Sequence, residues 1–453
     1  MNSNTETRIG LAEEMAQLLS KHIAAHLVEH PEANIGDIET MMRQELQAVG
    51  RRSLEMALTA TDIHQPTVAC ACGGEAAYLF RRQAQIITVF GKVSYRRNYH
   101  VCPCGQGIAP LDQRLKLEPG QVNRGLAPLL ALLGIQTSFD EGQRLAEQLL
   151  LLDISDNTIR KATQALGAAQ QELERQWQQQ SQSPAYLRQQ TRLKETVPRR
   201  LYGSIDGVQV PVGQEWRELK SGCWYRVDPV PQRQWPSRFK DRIGQLETLK
   251  ATEIDYYCDI AEAGNFSKLL WATGCQRLAD RAEEVVFVAD GAKWIWRIVA
   301  ENFPHAVQIL DWYHAVEYLP PIAQALFATE AQQNAWLAEM ETHLWLSRTQ
   351  TVIDACQALV KHAQAGAFAA AAVTYFSNNI QRMDYASFRS QGYLIGSGTI
   401  ESGCKQIATM RLKRAGARWT EDGARLVAKA RAVWLSGKWD SLTHRYRQLP
   451  LAI

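Results

Sequence analysis

The stretch EVVFVADGAKWIWRIVAEN, residues 284–302, changes its period at one Asp-Gly step. Before Asp290 the chain is continuously apolar, the pattern of a strand buried on both faces. After it, Trp294, Ile295, Ile298 and Val299 recur at helical spacing. A strand running directly into a helix is a unit of an open α/β sheet, and such sheets bind ligands at the carboxyl ends of their strands. Asp290 stands at that edge. The plainer alternative is that Asp290 caps the following helix.

The neighbouring sequence extends the sheet. LYGSIDGVQVPV, LKSGCWYRV and TEIDYYCDI read as three strands, FSKLLWATGCQRLADRA as a helix, and HAVQILDWYH as a strand entering a helix. Asp206-Gly207 lies inside the first strand. Asp-Gly between alternating apolar residues is also a hairpin signal, so Asp206 reads as a turn residue or as an acid held mid-strand. Residues 313–376 are almost wholly helical and rich in Ala and Leu. GYLIGSGTIESGCKQIATMRLKRAGARW follows. Gly396 and Gly398 break the chain, Thr399 is positioned to cap a helix, and Ile400, Cys404, Ile407 and Arg411 share a stripe with Glu401 at its rim. Glu401 alone reads as a first-turn acid in the helix dipole. Three carboxylates meeting at one sheet edge repel unless cations neutralise them. Two Mg²⁺ (or Mn²⁺) ions about 3.5–4 Å apart would do so and would activate water or a 3′-hydroxyl against a phosphodiester.

With 453 residues the chain is expected to hold two to four domains. No apolar run reaches the ~18–20 residues of a membrane span, and the N-terminus has no basic-then-apolar leader. A cytosolic setting is expected, in which nine cysteines do not read as a disulfide framework. Cys70 and Cys72 form one C-x-C in CACGG, and Cys102 and Cys104 another in CPCGQG. Paired thiols on two glycine-followed knuckles, bridged by a β-hairpin, make a closed tetrahedral Zn²⁺ site; the alternative is four small core cysteines. The other five cysteines read as packing residues.

Net charge is only +3, so any nucleic-acid contact must come from local patches. TSFDEGQRLAEQLLLLDISDNTIRKATQAL fits a helix-turn-helix with Ser155 as cap. Thr158, Arg160 and Lys161 then lie where a recognition helix meets DNA; an ordinary helical pair is the alternative. A second basic cluster, Lys405, Arg411, Lys413, Arg414 and Arg418, with Trp419, follows Glu401 and suits a polyanion.

Taken together, these pieces resemble DDE transposases of bacterial insertion sequences, most closely the ISKra-type family of the Mutator-like group. The resemblance is carried by CACGG…YRRNYHVCPCGQGIAPLD, SIDGVQVPV, VVFVADGAKWIW, LDWYHAVEYL and GSGTIESGCKQIATMRLKRAGARW, in family order over roughly residues 65–420. It implies a ribonuclease H-like core interrupted by an all-helical insertion, with Asp206, Asp290 and Glu401 as the catalytic triad. Asp206 is then a catalytic carboxylate on the first strand. LDWYHAVEYL looks like the D-x-x-H element of Mutator-like enzymes. There Asp311 rivals Glu401 as third metal ligand and His314 orders a strand end or flipped base; a core histidine bonded to Asp311 is the simpler reading. The short first C-x-C knuckle departs from the family pattern.

The expected organisation is multidomain α+β: N-terminal helices (1–62), a zinc-ribbon-like segment (63–118), a helical DNA-binding segment and linker (119–195), the first part of the core (196–315), the helical insertion (316–392), and the catalytic helix with its basic tail (393–453). The expected activity is cleavage and joining of element ends by two-metal hydrolysis and transesterification. The expected partners are terminal inverted repeats and target DNA, with a homo-oligomer in the synaptic complex and a cytoplasmic, nucleoid-associated location. A transposase-derived DNA-binding protein without strand transfer is the alternative, and a metal-dependent nuclease that never joins ends differs from the leading reading only in product.

Overall fold

The computed structural model describes residues 2–193, 197–229 and 249–450. The chain divides into two compact units. One comprises residues 1–134, 138–162 and 447–453; the other comprises 135–137 and 163–446. The boundary expected at 195/196 touches residues 194–196, outside the described residues. No described helix is long and apolar enough to cross a membrane.

In the first unit, helices Asn2–Glu29 and Ile35–Ala60 precede a four-stranded antiparallel sheet in the order β1-β2-β3-β4. Its strands are β1 (Thr67–Ala69), β2 (Glu75–Thr88), β3 (Gly91–Val101) and β4 (Gly107–Ile108). Leu54 and Leu58 of the second helix cover Ala84, Ile86, Val93 and Tyr95 on one face of the β2–β3 hairpin. The stretch read as a helix-turn-helix, or as an ordinary helical pair, forms helices Phe139–Leu150 and Asp156–Gln180, the second of which continues beyond residue 162 into the other unit. Ser155 accepts the Thr158 N–H through its hydroxyl.

The second unit is built on a five-stranded sheet in the order β7-β6-β5-β8-β9. These strands are β5 (Arg200–Val212), β6 (Glu215–Pro229), β7 (Leu249–Asp259), β8 (Glu284–Ala289) and β9 (Val307–Leu310). The first three are antiparallel, whereas β5, β8 and β9 run parallel. β8 lies between two parallel partners, which is why its sequence is continuously apolar. Helices fill residues 312–390. Asp206-Gly207 is not a turn. It sits mid-strand, opposite Ser221 and Lys220, and the hairpin turns instead at Gly213.

The Gln-rich stretch that begins at Gln170 reads by sequence as a polar helix end or a linker, and its first part is the helix end. That part continues helix Asp156–Gln180, where Glu174 is buried and ion-paired with Lys429 of helix Glu421–Leu435; Lys429 also lies 3.0 Å from Asp259 and donates to the Cys258 carbonyl.

Candidate functional site

Strand register brings the acids together. Ile205 pairs with Ala289, and Ala289 with Leu310. The next residue on each strand is an aspartate, so Asp206, Asp290 and Asp311 stand level across three neighbouring parallel strands. A fourth acid arrives on helix Gly398–Cys404, where Ile400 and Cys404 are buried in the sheet's core cluster. Gly403 of that helix lies so close to Tyr256 that an added Cβ would come within 2.4 Å of the ring. The Tyr256 hydroxyl donates to the Thr399 carbonyl. One turn after Glu401 the helix widens into a π-helical segment, Lys405–Thr409, a distortion that recurs at functional sites.

The caps differ from expectation. Asp290 does not cap the helix Lys293–Asn302; Ala292 occupies that position, and the Asp290 Oδ1 accepts the Ala292 N–H at 3.0 Å. The cap position of Glu401's helix is Ser397, not Thr399, and the Ser397 hydroxyl donates to Glu401 Oε1 at 2.8 Å.

Two groupings result. Asp206 is half-buried beside Asp290. Burial, then the neighbouring negative charge, push its carboxyl above the usual carboxylate range, while the Cys404 thiol and Gly207 N–H pull the other way. Asp311, His314 and Glu401 form the tighter group, with donor atoms within 4.8 Å of one another. Asp311 is fully buried and saturated. It accepts the N–H groups of Tyr313, His314 and Ser397, and the His314 ring at 2.9 Å. That bond to Asp311 raises the His314 imidazole to about 9, against the opposing effect of burial.

Sequence reasoning missed four contributors. Cys404 was grouped with the packing residues, although it also touches Asp206. Ser397 holds both Asp311 and Glu401. Tyr375 donates to the Asp290 carbonyl at 2.6 Å. Gly291 adopts φ +94. Of these, only the Asp-Gly step carried a sequence signal.

The basic cluster separates into two kinds of residue. Lys405 and Arg418 are exposed, and Lys413 and Arg414 half-buried. Arg411 and Trp419 depart from the expected DNA contacts. They are 2% and 8% exposed, the guanidinium lies 4.9 Å over the indole ring, and the indole N–H donates to the Leu412 carbonyl. Burial, then Arg414 and Arg431, lower the Arg411 guanidinium to about 9. In the first unit Thr158 bonds Ser155, Arg160 bonds Asn157, and Lys161 is exposed.

The four ribbon cysteines converge, with all sulfurs within 4.8 Å of one another. Cys70 and Cys104 sulfurs are 3.7 Å apart, and those of Cys72 and Cys102 3.6 Å apart. The two knuckles repeat one turn. Cys70 N–H donates to Gly74 O and Gly73 N–H to Cys70 O; Cys102 N–H donates to Gln106 O and Gly105 N–H to Cys102 O. Gly73 and Gly105 take φ +85 and +89, which favours glycine after each second cysteine.

No family model matches the chain. Part of it is similar to the transposase for insertion sequence element IS1557 of Mycobacterium tuberculosis, strains CDC 1551 / Oshkosh and ATCC 25618 / H37Rv. The identity is 29% over 120 residues, covering 22% of this chain and 27% of each relative. The chain thus matches about a quarter of the length of these curated relatives, and the similarity is to proteins of the transposase kind.

Proposed function

We propose that the chain is a DDE-type DNA transposase of the ISKra-type, Mutator-like group, with a ribonuclease H-like core formed by β5–β9 and interrupted by the helices of residues 312–390. One observation carries the reading: Asp206, Asp290 and Asp311 are level at the parallel-strand edge, and a separate helix delivers Glu401 beside them. Partial similarity to an insertion-sequence transposase supports the same class.

The donor set fits hard divalent cations, since it consists of carboxylate oxygens. Burial, and then the neighbouring Asp290 charge, raise the Asp206 carboxyl, and a bound cation would relieve both. Asp206, Asp290 and Glu401 would hold Mg²⁺ or Mn²⁺. Bound there, the ions supply activation of water or a 3′-hydroxyl and charge neutralisation at the phosphate. Asp311 has its oxygens committed to four donors, so it acts by orientation. It keeps the proton on His314 Nδ1 and fixes the ring beside Glu401. Because the bond to Asp311 raises the imidazole to about 9, the ring is doubly protonated at neutral pH and its other nitrogen also presents N–H to a phosphate oxygen, while Ser397 holds Glu401 and Asp311 in register.

In the ribbon, Cys70, Cys72, Cys102 and Cys104 would hold Zn²⁺. Four sulfurs at about 2.3 Å from one ion stand about 3.8 Å apart, close to the observed pair separations. Thr158, Arg160, Lys161, Lys405, Lys413, Arg414 and Arg418 are the proposed contacts to terminal-repeat and target DNA. A homo-oligomer would pair the two ends.

The test uses purified full-length protein and a plasmid carrying the DNA that flanks the gene on both sides. Cleavage at the element ends and joining to target DNA should appear with Mg²⁺ or Mn²⁺ and vanish with chelator. Binding without metal-dependent cleavage would overturn the enzyme in favour of a DNA-binding derivative.

A further inference from the structure

A cleft of about 900 Å³ opens beside Asp290, between helices Lys293–Asn302 and Gly366–Asn379. Its walls differ in chemistry. At the Asp290 end, helix Lys293–Asn302 begins with no side-chain cap, and Lys293 is exposed there. An uncapped helix start with a lysine ammonium suits a phosphate. The facing wall carries Tyr318 and Tyr375, stacked on each other with ring centroids 4.1 Å apart, and the Tyr375 hydroxyl reaches across to the Asp290 carbonyl. Thr374 and Asn378, both exposed, add a hydroxyl and an amide. Arg382 closes that side, lying 4.7 Å over the Trp296 ring and donating to Gln308 and Asn379. Among the described residues, Asp290 is the one carboxylate on the lining.

The volume lies in the range of small-ligand sites, and a DNA duplex, whose major groove alone is about 12 Å wide, does not enter such a space. An unstacked nucleotide does. We infer that this cleft receives the single nucleotide flanking the phosphate under attack, its base against Tyr318 and Tyr375 and its own phosphate at the helix start beside Lys293. The inference rests on the proposed DNA-cleaving function, and it names a part of the substrate that the acidic cluster alone does not specify. Unpairing the end nucleotide costs energy that a ready single strand avoids. The cleft therefore favours frayed or extended ends over blunt duplex.

The probes are a blunt duplex and the same duplex with a short 3′ single-stranded extension carrying 2-aminopurine. Full-length protein should bind the extended probe about tenfold more tightly, the size of one base stacked on an aromatic ring, with a change in 2-aminopurine emission. Ala371→Trp, which fills the cleft from helix Gly366–Asn379, should erase that preference. Lys293→Gln, a milder change, should weaken extended-probe binding and leave the melting temperature at the wild-type value. Equal affinity of the wild-type protein for both probes overturns the inference, as does a preference that survives in both variants. Failure of the underlying reading looks different: neither probe is bound, and no metal-dependent cleavage is seen.

Discussion

At Gly291 the backbone turns with φ +94, and an added Cβ would meet Leu310 at 2.9 Å, Tyr375 at 3.0 Å and Asn379 at 3.2 Å. Gly291→Ala should therefore cost about 1–3 kcal/mol in stability. It should also displace Asp290, and metal-dependent cleavage should fall by about a hundredfold, the scale of an ångström-sized misplacement. Thermal melting and a cleavage assay read the two effects separately. Asp311→Asn tests the division of labour among the acids. It turns one of the two acceptor oxygens, each of which serves two donors, into an amide nitrogen, so cleavage should slow yet stay detectable and metal-dependent. A loss as complete as that from removing Asp206, together with a mild effect of Glu401→Gln, would make Asp311 the third ligand. The strand-to-helix switch at Asp290 was legible because periodicity changes at that residue. Asp206 was ambiguous, because a mid-strand Asp-Gly and a hairpin Asp-Gly share the same local pattern and only pairing with β6 separates them. The burial of Arg411 against Trp419 was not legible. A dense run of cations reads as a solvated face until its tertiary neighbours are known.

The ribbon and the helix pair around Glu174 show the same limit for whole elements. Spacing alone located the four cysteines and the hairpin between them. Their convergence depends on the near-identical turns after Cys70 and Cys102. Because metal binding and folding are coupled, Cys104→Ser or removal of metal should loosen the ribbon and weaken DNA binding. Protein purified without chelator should contain zinc, and metal analysis that finds none would contradict the proposed site. Nothing in the Gln-rich sequence singled out Glu174, since its partners Lys429 and Gln170 are chosen by packing. Lys429→Met leaves Glu174 buried without its cation and should cost about 3–5 kcal/mol, whereas pairing it with Glu174→Leu should recover part of that loss. Chemical denaturation of both variants checks the prediction. A double variant less stable than the single one would contradict it.

For the molecule as a whole, a net charge of +3 supplies no general attraction to DNA. The proposed affinity must come from patches, and in the C-terminal cluster the residues that are not sealed in are the candidates. Replacing Lys405, Lys413 and Arg418 together with alanine should flatten the dependence of DNA affinity on salt, because fewer counterions are released. Arg411→Ala should instead lower the melting temperature. The strand–helix alternation of residues 200–312 made a mixed α/β unit legible in advance, and the order β7-β6-β5-β8-β9 needed the structure. Chain order does not dictate that β5 lies between β6 and β8. That central position is what puts Asp206 level with Asp290, and it makes Asp206 the decisive residue. Asp206→Asn keeps the shape of the side chain and removes its charge. Gel-shift and cleavage assays on one preparation, with element-end DNA and Mg²⁺, should find binding intact and cleavage and strand transfer abolished. Near-normal cleavage by the Asn variant would contradict the account, since the carboxylate could then be neither a metal ligand nor the centre of the site.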